Sequence, residues 1–130
     1  MPDHLFTPAE LEVMAVLWEH GELKPAQLQE RFPREIKNPA LRSILSILCE
    51  KGHVVRRLEG KAYFYSAKTK QQRALKERLH ELIETYCNGS VRSLLMHLSE
   101  TEKLSKADVV ALKKIAERQP DAPNDKTPKP

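Results

Sequence analysis

The sequence is poor in the residues that make special structures. Its two cysteines, Cys49 and Cys87, lie far apart without CxxC or other metal-type spacing. That excludes a disulfide-stapled scaffold, which needs more cysteines and an oxidising compartment. Aromatic residues make up 5% of the chain, so any core is mostly aliphatic and thin. No run approaches the roughly 18 apolar residues of a membrane span. No signal peptide is read at the start, where Pro2 and Asp3 precede only a short apolar stretch. The expectation is a soluble chain in the reducing cytoplasm, with no membrane insertion. Catalytic signatures are missing too: there is no HExxH, G-x-S-x-G, P-loop or GxGxxG. The five histidines, at 4, 20, 53, 80 and 97, are scattered. His80 shares a helix face with Glu77 and Glu84, a spacing ordinary on solvated helices, so no metal and no cofactor are expected. An enzyme is not expected.

What the chain has is charge, unevenly placed. Residues 1–33 carry two basic and six acidic side chains, net −4, whereas residues 34–73 carry ten basic and three acidic, net +7. Residues 74–119 come to +1 and the last eleven to zero. A local block of +7 in a 130-residue chain of net +4 is a patch that attracts polyanions.

The periodicity orders the elements. Thr7, Pro8 and Glu10 form a T-P-x-E start, with a capping box and proline at the first helical position. Phe6 and Leu11 stand where a hydrophobic staple would. Leu11, Met14, Leu17 and Trp18 share a helix face, and Gly21 ends the helix. Pro25 opens a short second helix carrying Leu28 and Phe32, and residues 33–37 form a basic connector. Asn38-Pro39 starts a third helix with Asn38 as the cap, running to Lys51 before Gly52. Its buried stripe is Leu41, Ile44, Leu45 and Leu48. Beyond Gly52 the residues become β-branched and aromatic: Val54–Leu58 and Ala62–Tyr65 flank Glu59-Gly60-Lys61, a hairpin. Tyr63, Phe64 and Tyr65 are read as sheet core. Three short helices followed by a basic hairpin is the order of a winged helix-turn-helix.

A long helix follows from about Thr69 to Tyr86. Leu75, Leu79, Leu82 and Tyr86 are spaced 4, 3, 4, the rhythm of a helix packing on another helix. After Asn88-Gly89-Ser90 comes a helix with Val91, Leu94, Leu95 and Leu98 on its apolar face. A last helix, capped by Ser105-x-x-Asp108, turns Val109, Leu112, Ile115 and Ala116 inward. Residues 120–130 hold four prolines and no large apolar residue, the composition of a disordered tail. The fold class is therefore mainly α with a small β-hairpin. A winged helix-turn-helix DNA-binding domain covers residues 1–68, and a helical dimerisation region covers 69–119.

The candidate interface follows from groove chemistry. An α-helix fits the major groove, and small residues near its N-terminus allow close approach. Ala40, Ser43 and Ser46 surround Arg42, whose guanidinium matches guanine. Asn38 lies at the same end, and Arg56, Arg57 and Lys61 on the hairpin are placed to meet phosphates or a minor groove. Pairing of two copies falls to Leu75, Leu79, Leu82, Tyr86, Leu94 and Leu98. The partners expected are double-stranded DNA with a palindromic operator and a second copy of the chain. The rival is a winged-helix protein-interaction module without DNA binding, against which the +7 block argues.

These residues resemble the penicillinase-repressor family. The stretches are L-F-T-P-A-E-L-E-V-M-A-V-L-W at 5–18, L-R-S-I-L-S-I-L-C-E-K-G at 41–52, R-R-L-E-G-K-A-Y-F-Y at 56–65 and Y-C-N-G-S at 86–90. The resemblance implies a homodimeric repressor blocking transcription from an inverted-repeat operator, with β-lactamase genes among its targets. It also implies release by a membrane-bound sensor protease, with a cut near His97-Leu98, although this chain lacks the asparagine-phenylalanine pair associated with that cut. The tail has no cysteine, which sets it apart from copper-responsive relatives. Ala40 stands for a usual threonine, and Ser46-Ile47 for residues often basic, so a different operator is implied.

Overall fold

The computed structural model describes residues 6–118. The expected tail at 120–130 and the side chains of Ile115 and Ala116 lie outside the described residues. Six helices and two strands follow in order: α1 (Pro8–His20), α2 (Pro25–Arg31), α3 (Asn38–Lys51), β1 (Val54–Glu59), β2 (Ala62–Ala67), α4 (Gln71–Tyr86), α5 (Val91–Thr101) and α6 (Lys106–Arg118). The chain is mainly α with one antiparallel hairpin, and it divides into two compact units between Glu77 and Arg78.

In the first unit, α1 begins as its sequence dictates. Thr7 Oγ1 accepts from the Glu10 amide at 3.1 Å, and Glu10 Oε1 accepts from the Thr7 amide at 3.0 Å. Two amides that the helix leaves unpartnered are thereby satisfied. The buried face differs from the sequence expectation. Glu10, Val13, Met14, Val16 and Leu17 are buried, while Leu11 is 46% exposed. Both 10-13-14-17 and 11-14-18 satisfy a 3.6-residue period, so periodicity alone does not choose between them. The choice falls on Glu10 because Lys51 at the end of α3 donates to its carboxylate at 3.0 and 3.2 Å. A buried carboxylate is tolerable when it is both paired and hydrogen-bonded. The expected Phe6–Leu11 staple is also replaced. Phe6 packs edge-on to Trp18 with ring centroids 6.2 Å apart, and against His53 at 4.5 Å.

The core joins α1, α2, α3 and the hairpin base: Met14, Leu17, Leu28, Leu41, Leu45, Leu48 and Val54 are fully enclosed. Gly52 terminates α3 with φ +86°, a left-handed conformation that favours glycine. The strands pair from Val54↔Ala67 to Glu59↔Ala62, closed by Gly60 and Lys61, and Gly60 takes φ +63° to turn the chain. A third, single-residue partner joins them. Leu23, between α1 and α2, exchanges both backbone bonds with Tyr65 at 3.0 and 2.8 Å. Along one face of the hairpin exposure climbs from 2% at Val54 to 58% at Leu58. The hairpin therefore extends beyond the core as a wing. Of the three aromatics expected in the sheet core, only Tyr65 is buried; Phe64 is half-buried and Tyr63 is exposed. Their positions further along the wing take them past the helices.

The start of α4 is fastened within this unit. Trp18 Nε1 donates to the Thr69 carbonyl at 2.9 Å, and His53 Nδ1 shares a 2.8 Å bond with Thr69 Oγ1.

The second unit holds the rest of α4 with α5 and α6. Asn88 and Gly89 both take positive φ between α4 and α5, and Ser90 Oγ caps α5 by accepting from the Ser93 amide at 3.0 Å. No described side chain in α4 or α5 is buried, and Cys87 between them is the one buried residue of this region. The described side chains of α6, including Val109 and Leu112, which were expected inward, are exposed.

Candidate nucleic-acid interface

The interface is built from the outer face of α3 and from the wing. Leu41, Leu45 and Leu48 commit one side of α3 to the core, which turns Ala40, Arg42, Ser43, Ser46, Ile47 and Glu50 outward. The first turn of α3 holds no acidic residue, so its positive helix end stays open to an anion. Asn38 is not the cap expected from the sequence. Lys37 holds that position in extended conformation, and Asn38 is the first helical residue. Its side chain instead accepts a bond from Arg42 Nε at 2.8 Å. One turn of helix thus orients the guanidinium and leaves its two terminal nitrogens for another acceptor.

On the wing the three expected cations differ in what surrounds them. Arg56 lies over the Tyr63 ring, 4.1 Å from its centroid, and the neighbouring Tyr65 and Tyr63 hydroxyls raise its already high pKa further. Its charge is felt by Cys49 on α3, so this side chain lies where the wing and the helix meet. The Cys49 thiol is nonetheless pushed up by burial, more than Arg56 pulls it down, which leaves it a weak nucleophile. Arg57 is occupied. It donates to Glu22 at 2.7 and 2.9 Å and to Glu59 at 2.6 Å, and stacks on Phe64 at 4.8 Å. The same bonds hold the Glu22 carboxyl below its ordinary value. Lys61 stands exposed at the turn, and among the described residues no side chain pairs with it. In the connector before α3, Arg34 is bound to Glu12 at 2.9 Å, and that pairing raises the arginine's pKa.

The expected pairing residues are available rather than packed. Leu75, Leu79, Leu98 and Tyr86 are exposed, Tyr86 by 78%, and Leu82 and Leu94 are half-buried. His97 and Leu98 both lie within α5 and are exposed, so a protease would have to unwind that turn before cutting there. His80 is exposed on α4, and among the described residues no three His, Cys, Asp or Glu side chains gather as a metal ion requires. No helix among the described residues is long and apolar enough to cross a membrane.

Sequence reasoning missed Glu22 and Glu59 as the partners of Arg57. It also missed the bond between Asn38 and Arg42, for which the i, i+4 spacing was an available signal.

An outward-facing helix beside a basic wing defines a winged helix-turn-helix domain. The chain belongs to the penicillinase repressor family, whose sequence pattern matches residues 6–118, and that match makes it a DNA-binding transcriptional repressor by class. It is 25% identical over 111 residues to the penicillinase repressor of Bacillus licheniformis, covering 84% of this chain and 87% of that one. It is 23% identical over 111 residues to an uncharacterised 16.5 kDa protein from the ptsI 3′ region of Latilactobacillus sakei, covering 84% and 76%. Among solved structures, YusO from Bacillus subtilis superposes with a TM-score of 0.51 at 24% identity, over 95% of this chain and 80% of that one. BpsR of Bordetella bronchiseptica, whose DNA binding is regulated by 6-hydroxynicotinic acid, gives 0.51 at 14%, over 93% and 84%. At these identities the structural likeness speaks for the fold alone.

Proposed function

We propose that the chain works as a homodimer that occupies an inverted-repeat operator and blocks transcription by covering promoter DNA. Each protomer presents α3 to a major groove, with Arg42 reading a guanine through its terminal nitrogens, and Ala40, Ser43 and Ser46 permitting close approach. Asn38 holds Arg42 in place. Lys61 and Arg56 meet the phosphate backbone, while Arg57, tied to Glu22 and Glu59, acts as a strut that braces the wing. Residues 1–68 form the DNA-binding part and 69–119 the pairing part. The uncovered leucines and Tyr86 of α4 and α5 favour pairing, because each large apolar side chain moved from water into an interface is worth about 1.5–3 kcal/mol. The name of the Bacillus licheniformis relative points to a penicillinase gene as the class of target. Release by a membrane-bound sensor protease would act at His97–Leu98.

The observation that carries this reading is the Arg42–Asn38 pair on a small-residue face at the start of α3. The test selects bound duplexes from a random pool with the full chain and measures mobility shifts across a salt series. A selected inverted repeat, bound with affinity that falls steeply with salt, is expected. Indifference to duplex DNA at low ionic strength refutes the reading and favours a protein-interaction module.

A further inference from the structure

The outward face of α3 carries one bulky apolar side chain, Ile47, 40% exposed. Ile44 and Cys49 on the same helix pack against the core cluster, and Ile47 does not. It follows Ala40 and Ser43 in steps of three and four, so the three side chains make one ridge that starts small and ends large. The small members let the helix come close, and Ile47 then projects past them. A β-branched residue facing water on a helix serves neither propensity nor packing. In the major groove it meets the one apolar group that base pairs display there, the C5 methyl of thymine.

We infer that Ile47 is a specificity-determining residue that reads a thymine methyl group in each half-site. The inference rests on the operator-binding reading above. Arg42 and Ile47 are five residues apart, so they flank the outward arc of α3 and are separated by about 7.5 Å along its axis. Base pairs are spaced about 3.4 Å apart. The thymine therefore lies about two base pairs from the guanine that Arg42 contacts.

The test uses the full chain and its selected duplex, with deoxyuridine replacing each thymine in turn. Uracil pairs as thymine does but lacks the methyl group. At one position in each half-site the wild-type chain should lose about fourfold in affinity, the worth of one buried methyl-sized group, and about fifteenfold when both are replaced. Ile47→Ala should bind the thymine and uracil duplexes equally, and Ile47→Val should retain part of the difference. Since Ile47 lies outside the core, both variants should melt with the wild type. Sequence-selective binding that ignores every uracil replacement overturns the role of Ile47 but leaves the operator reading standing. Unchanged methyl dependence in Ile47→Ala does the same, as does a change in oligomeric state without a change in methyl dependence, which would assign this face to protein contact. Failure to bind any duplex overturns both.

Discussion

Removing the Asn38 amide separates orientation from charge. In Asn38→Ala the Arg42 guanidinium stays in place but loses the acceptor that fixes its Nε at 2.8 Å. That bond is solvent-exposed, so its own worth is at the low end of about 0.5–1.5 kcal/mol. Ordering a long side chain at an interface costs a similar amount, about 0.5–1.5 kcal/mol, and the variant bears that cost on binding. The two describe the same freedom and are not added. A loss of about 1 kcal/mol, or about fivefold in affinity for the selected duplex, is expected. Arg42→Ala should cost more, about 1–3 kcal/mol, because the base contact itself disappears. The assay is a double-mutant cycle by fluorescence anisotropy on the selected duplex and on one with the guanine replaced. In the Arg42→Ala background Asn38→Ala should have almost no further effect. The salt slope should not change in Asn38→Ala, since no phosphate contact is lost. Equal losses from Asn38→Ala with and without Arg42 would refute the positioning role and make Asn38 an independent contact.

Three further outcomes follow from the described geometry. Lys61→Ala should weaken binding to all duplexes alike and lower the salt slope by about one, as measured by titration at several salt concentrations. Leu79→Arg should yield monomers in sedimentation and a large loss of operator affinity, because the second half-site no longer contributes through effective concentration; an intact dimer would count against the pairing surface. Glu10→Ala should destabilise the first unit by about 2–4 kcal/mol in urea unfolding, since it breaks the reciprocal cap and strands the Lys51 ammonium.

Local signals in the sequence were legible where the chemistry is local. The T-P-x-E start of α1, the glycine after α3 and the turn at Gly60 each depend on residues within four positions, and each is found in the structure. What escaped depends on partners far along the chain. The burial of Glu10 is decided by Lys51, 41 residues on, and the engagement of Arg57 by Glu22, 35 residues back. The Leu23 bridge to Tyr65 is of the same kind, because a single residue completing a sheet edge leaves no periodic trace. The outward face of α3 was readable from its leucine stripe alone. The orientation of Arg42 is not, because an asparagine before the first turn usually fills a capping role, whereas here Lys37 holds the cap position and Asn38 turns to Arg42.

The chain's one tryptophan, Trp18, donates its indole hydrogen to the carbonyl of Thr69, just ahead of the long helix. The protein thus carries a built-in fluorophore at the point where the chain leaves the wing. Its emission should move to longer wavelength when that carbonyl lets go and water reaches the ring. Loosening at this joint can accordingly be followed without a label, during unfolding or while operator is titrated in.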